Sequence, residues 1–128
     1  MSLTVPPALL EQAREGKVST VDFVDCVRTS LPYAWEVVSR LVKEREASEA
    51  AFAENYEAPP DEVARGQLLR CMASNAMRDA LEAYFGIRLA FQNCHKVAVF
   101  STAATDAYNR FITAEAQILN QRPELVDC

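Results

Sequence analysis

Four consecutive residues, Asn93-Cys94-His95-Lys96, hold the side chains from which this chain could build nucleophilic chemistry. A thiol beside an imidazole and an ammonium can have a lowered pKa and attack as the thiolate. The spacing argues against it. Neighbouring residues on a strand point to opposite faces, so adjacency does not bring Cys94 onto His95. No partner that would orient His95 is marked in the sequence. A hairpin turn with Cys94 tucked in as a small apolar residue explains the same four residues. We therefore place Asn93, Cys94, His95 and Lys96 among candidate contact residues and assign no catalytic residue.

A second cluster lies in Arg28-Thr29-Ser30-Leu31-Pro32-Tyr33-Ala34-Trp35-Glu36, which contains the only tryptophan. Trp35 falls at the edge of its helix's apolar stripe. That position suits a buried ring first and an interface ring second. Arg28, Tyr33 and Trp35 complete the candidate binding surface together with Arg88, which points to the polar side of a strand-like run.

Other chemistries lack material. One histidine and four cysteines with no C-x-x-C spacing give no recognisable zinc site. Three glycines leave almost nothing for a phosphate-cradling loop. Carboxylates are numerous but none sits in a pocket motif. The expectation is no metal, no cofactor and a non-enzymatic protein.

The chain has 128 residues, half of them hydrophobic and 24% charged. That length and composition fit one domain, residues 1–128, with enough apolar material for a core. Net charge is −5, which disfavours purely charge-driven binding to nucleic acid or anionic lipid. Much of the acid is local. Glu44, Glu46, Glu49, Glu54, Glu57, Asp61 and Glu62 face a single arginine, Arg45, in one short stretch. Outside it the chain is close to neutral. No signal peptide is readable, and no apolar run approaches the roughly 20 residues of a membrane span. The cysteines are scattered, as in proteins of a reducing compartment, so the expected location is cytoplasmic.

The elements that must position these residues are mostly helices. Pro7 to about Glu15 reads as a short helix ended by Gly16. Ser19, with Asp22 three residues on, opens a second helix carrying Val21, Val24, Val27 and Leu31. A third begins near Pro32 and repeats Ala34, Val37, Val38, Leu41 and Val42 at helical spacing, running to about Ala53 or fraying earlier where it turns polar. Residues 54–60 read as a loop because of Pro59 and Pro60. Asp61 starts a fourth helix. Ser74-Asn75 marks a step before a fifth, which carries Met77, Leu81, Tyr84 and Phe85 and ends at Gly86. Ile87, Leu89 and Phe91 then alternate with Arg88, and Val97 to Phe100 is a second β-prone run, giving a hairpin. A last helix runs from Ser101 or Thr102 to Asn120, before the tail at Pro123.

The expected fold is thus mainly α: a five- or six-helix bundle with one β-hairpin. Residues 61–100 follow the order of a winged helix-turn-helix. The second helix of that unit offers Asn75 and Arg78, but also Asp79 and Glu82, a thin basic footprint for DNA.

Three segments resemble a family of small actinobacterial proteins of unassigned function. They are Phe23-Val24-Asp25-Cys26-Val27-Arg28-Thr29-Ser30-Leu31-Pro32-Tyr33-Ala34-Trp35-Glu36, then Ala64-Arg65-Gly66-Gln67-Leu68-Leu69-Arg70, then Phe91-Gln92-Asn93-Cys94-His95-Lys96-Val97-Ala98-Val99-Phe100. The tail Leu119 to Cys128 fits as well. The resemblance implies a bacterial, cytoplasmic, one-domain protein, and it implies no activity, cofactor or catalytic residue. The first expectation for function is a protein-binding or regulatory module, self-associating as a dimer or engaging another protein. A winged-helix DNA-binding regulator is the second, and a small-molecule binder or thiol-dependent enzyme using Cys94 and His95 the third.

Overall fold

The computed structural model describes residues 3–93 and 95–121. In chain order its elements are α1 (Pro7–Arg14), α2 (Thr20–Ser30), α3 (Pro32–Glu46), β1 (Phe52–Glu54), α4 (Glu62–Ala73), α5 (Asn75–Phe85), β2 (Ile87–Gln92), β3 (Lys96–Ser101), α6 (Thr105–Phe111) and α7 (Ala114–Leu119). The fold is mainly α with a small antiparallel sheet, as the periodicity predicts.

Local chemistry sets most boundaries. The Ser19 hydroxyl accepts from the Asp22 N–H at 3.3 Å, and the Asp61 carboxylate from the Ala64 N–H at 2.8 Å. Each satisfies one amide left open by a helix start. Ser74 is the whole connector between α4 and α5, and its hydroxyl accepts from the Met77 N–H at 3.2 Å. Gly86 ends α5 at φ 67°, a left-handed conformation that glycine adopts without a Cβ penalty.

Two boundaries depart from the sequence reading. The third helix stops at Glu46, the earlier of the two ends its sequence allows, and residues 52–54 form a strand where none is expected. Pairing with the hairpin explains it: Phe52 lies opposite Phe100, Ala53 opposite Val99 and Glu54 opposite Ala98. The hairpin thereby becomes a three-stranded sheet of order β1-β3-β2. A lone hairpin is marginal, and a third strand with helices packed on it removes that weakness. The last helix is two. Thr113 interrupts it, and its hydroxyl caps α7 by accepting from the Ala116 N–H at 3.2 Å.

The sheet is covered on both faces. Leu89, Val97 and Val99 point into the main core with α2, α3, α4 and α5, where Val27, Leu31, Val38, Leu41 and Leu68 are fully buried. Ala90, Ala98 and Phe100 point the other way, under Phe111, Ala107 and Tyr108 of α6. Phe100 stacks on Phe52 at 4.9 Å and meets Phe111 and Tyr108 edge-on. These geometries add stabilisation beyond area burial. Helix α3 lies on β3 and β1, and α2 packs along α5.

Candidate functional site

The hairpin turn is a structural clamp. His95 is 2% exposed, and its carbonyl accepts from Asn55 Nδ2 at 3.0 Å. Asn55 is itself buried. It accepts from Arg40 at 2.9 Å and donates to the Glu57 carbonyl at 2.9 Å, so one amide ties α3, the loop after β1 and the turn together. Lys96 is also buried, with Nζ 3.5 Å from Glu54 and the Tyr56 ring 6.0 Å away. Asn93 holds φ 57°, and its Oδ1 accepts from Gln117 at 2.8 Å and Gln121 at 2.7 Å. Gln92 bonds the Phe111 carbonyl and Asn120. The turn thus anchors α6 and α7 through amides. Cys94 lies outside the described residues. His95 and Lys96 face into the protein and present no contact surface.

Two more candidates serve packing. The Arg88 guanidinium sits 3.6 Å over the Tyr108 ring, a cation–π contact that joins β2 to α6. The Tyr33 N–H donates to Gln67 Oε1 at 2.7 Å, so α4 caps the first turn of α3. Burial, and then Glu36, push the Tyr33 phenol above its usual pKa.

Arg28 and Trp35 do come together. They line a cleft of roughly 550 Å³ between α2, α3 and α5, with Val21, Asp22, Val24, Asp25 and Tyr84. Its size falls within the common range for ligand pockets. The Trp35 ring packs at 5.2 Å from Phe85 and 5.8 Å from Tyr84. Yet Val21 remains 63% exposed and Tyr84 48% exposed. Arg28 is ion-paired to Asp25 one turn earlier. The hydrogen bond and charge of Asp25 raise the Arg28 pKa, with a smaller contribution from Tyr84. Asp22 accepts from Gln12 Nε2 at 2.8 Å, while Gln12 Oε1 accepts from the Ser19 N–H at 3.0 Å. Gln12 therefore pins α1 to the start of α2 and sets the Asp22 carboxylate at the cleft.

Sequence reasoning found Arg28 and Trp35 but not their companions. Tyr84 reads there as one more member of an apolar stripe, and Asp22 as a capping residue. The available signal was the run Val21, Asp25, Arg28, which recurs at i, i+4, i+7 beside the buried stripe of α2.

A second open groove, roughly 500 Å³, runs between α4 and α5 with Leu69, Arg70 and Met77 along it. Among the described residues no group of three or more His, Cys, Asp or Glu could hold a metal ion, and no helix is long and apolar enough to cross a membrane. Cys26 and Cys71 are free, buried thiols. Burial pushes the Cys71 pKa up to about 12, which makes it inert near neutrality.

The run α3–β1–α4–α5–β2–β3, with sheet order β1-β3-β2, has the element order of a winged helix. The class is therefore a mainly α chain with a small antiparallel sheet and an aromatic cleft beside its fifth helix. The chain belongs to the family described as NucS shadow ORF, whose model matches residues 1–128. No curated protein matches the chain, and no solved structure does.

Proposed function

We propose that this chain is a non-enzymatic protein-binding module, bacterial and cytoplasmic, whose docking site is the cleft between α2, α3 and α5. One observation carries the reading. The cleft gathers Trp35, Tyr84 and Arg28 around a Val21 that is 63% exposed. Tryptophan, tyrosine and arginine are the residue types that dominate binding energy at protein interfaces. Aromatic and aliphatic side chains set among charged ones are the mix such an interface carries.

The test is a photo-crosslinking amino acid placed at Val21 and the protein expressed in its own cells. A discrete crosslinked protein is expected, lost when Tyr84 is changed to Ala and absent when the crosslinker sits at Glu115 on α7. The mass of the adduct tells a second copy of this chain from another protein. No adduct at Val21 would remove the reading.

The winged-helix order supports a second reading, a DNA-binding regulator. The surface of α5 weakens it, because α2 packs along that helix and its exposed positions include Ala76, Asp79 and Ala83. Arg78 is held by Asn75 on its own helix. A gel-shift titration with duplex DNA at low salt decides: retention that weakens as salt rises would favour the second reading over the first.

A further inference from the structure

The charges lining the cleft are two carboxylates, Asp22 and Asp25, and one guanidinium, Arg28. Arg28 is already paired with Asp25. The lining is therefore net negative by one charge (two minus one), and that excess lies beside the tryptophan and tyrosine rings. Aromatic rings attract cations through their negative faces, most strongly for tryptophan, and more when a carboxylate is near. A partner's arginine or lysine suits this site on both counts. Its alkyl stem would lie along Val21 while its cationic head meets the rings and Asp22. An acidic partner would find only Arg28 to pair with, and that guanidinium already bridges Asp25.

We infer that the cleft recognises a basic segment of a partner protein by seating an arginine or lysine side chain between the Trp35–Tyr84 wall and Asp22. This rests on the docking reading above and specifies its partner. Arg28 then acts as the competitor. It occupies Asp25 and opposes an incoming cation, so the site discriminates by how well a ligand outbids an internal guanidinium.

The sole tryptophan makes the test direct. The probe is an acetylated, amidated heptapeptide of alternating alanine and arginine, titrated into the full chain at low salt while Trp35 emission is followed. A saturable change is expected. Asp22→Asn should weaken binding about fivefold, the upper range for one exposed charge interaction. Arg28→Gln should tighten it about threefold, because it frees Asp25 and removes a like charge. Opposite signs from two neighbouring substitutions would not come from general damage to the fold, and circular dichroism of each variant confirms that the fold persists. Glu49→Gln, remote from the cleft, should leave the affinity unchanged.

Three results would overturn the inference: no saturable change, equal binding of the matching glutamate peptide, or a loss with Glu49→Gln as large as with Asp22→Asn. The last would mean diffuse attraction to an acidic protein. Failure here with the Val21 crosslink intact removes the basic partner and leaves the docking site. Loss of the crosslink removes both.

Discussion

Replacing Glu54 by glutamine isolates the ion pair under the sheet. Lys96 Nζ lies 3.5 Å from the Glu54 carboxylate, and the two side chains are 6% and 13% exposed. At that distance, and an effective dielectric of about 20, the attraction is about 5 kcal/mol, most of it offset by the cost of taking both charges out of water. Removing one partner of a buried pair leaves that cost uncompensated and typically destabilises by about 3–5 kcal/mol. We expect about 3 kcal/mol for Glu54→Gln, because the amide oxygen still accepts a hydrogen bond from the ammonium. Lys96→Met should cost less, about 1–2 kcal/mol, since the carboxylate left behind is nearer to water. The double variant should cost well below the sum of the singles, since no unpaired charge is left buried. Urea unfolding reads all three. With a slope of about 2 kcal/mol per molar urea, Glu54→Gln lowers the midpoint by about 1.5 M. A loss below about 1 kcal/mol, or a larger loss for Lys96→Met than for Glu54→Gln, would refute the reasoning and return the pair to the ordinary value of a surface ion pair.

Other changes test single features. Gly66 sits mid-helix on the exposed side of α4 with nothing within 4 Å of an added Cβ, so Gly66→Ala should stabilise by about 0.5–1 kcal/mol in the same assay. Gly86→Ala, at φ 67°, should destabilise by about 1 kcal/mol although space is equally open there. For Cys71 the folded pKa is about 12 against 9.0 for the free group. The folded state thus holds the thiol proton more tightly. Its contribution is complete below pH 9.0 and falls by about 1.4 kcal/mol per pH unit toward the folded value. Native protein should therefore leave Cys71 unlabelled by iodoacetamide at pH 8, whereas protein unfolded in urea labels at once. A single cooperative unfolding transition, coincident by circular dichroism and Trp35 fluorescence, is expected from a chain whose caps, periodicity and core agree.

How far the sequence reached depended on the range of the interaction. Ser19, Asp61 and Gly86 mark their boundaries correctly because capping and left-handed turns are decided within a few residues. Residues 52–54 were not legible as a strand. Three residues carry no period, and they are extended only because Val99 and its neighbours, far along the chain, supply the pairing. The split at Thr113 was legible in principle, since a threonine ahead of Ala114 and Glu115 is a helix start, but the apolar positions on either side read as one stripe. The polar turn at 93–96 showed its composition and hid its direction. Where the His95 backbone and the Lys96 ammonium are held is settled by Asn55 and Glu54, which lie some forty residues earlier. The cleft was half legible: Arg28 and Trp35 stand out by type, whereas Tyr84 acquires its role only when α5 meets α2.

That meeting decides what the scaffold can do. In a winged-helix order the helix before the hairpin is the one that presents side chains to a duplex groove. Here α2 is laid along it, because Val24 and Val27 of α2 and Leu81 of α5 share one core. Burying those side chains stabilises the fold by roughly 1.5–3 kcal/mol each. The same contact takes the inner flank of α5 out of reach of any partner. It also leaves a seam, since two helices and the start of α3 cannot fill the space above Trp35, and Val21, Asp22, Asp25 and Arg28 border what remains. The packing that buries the inner flank of α5 is therefore the packing that builds the cleft. A change that loosened α2, such as Val27→Ala, should affect both together. It should raise the exposure of α5 and erase the environment of Trp35, and a red shift of tryptophan emission without global unfolding would report it.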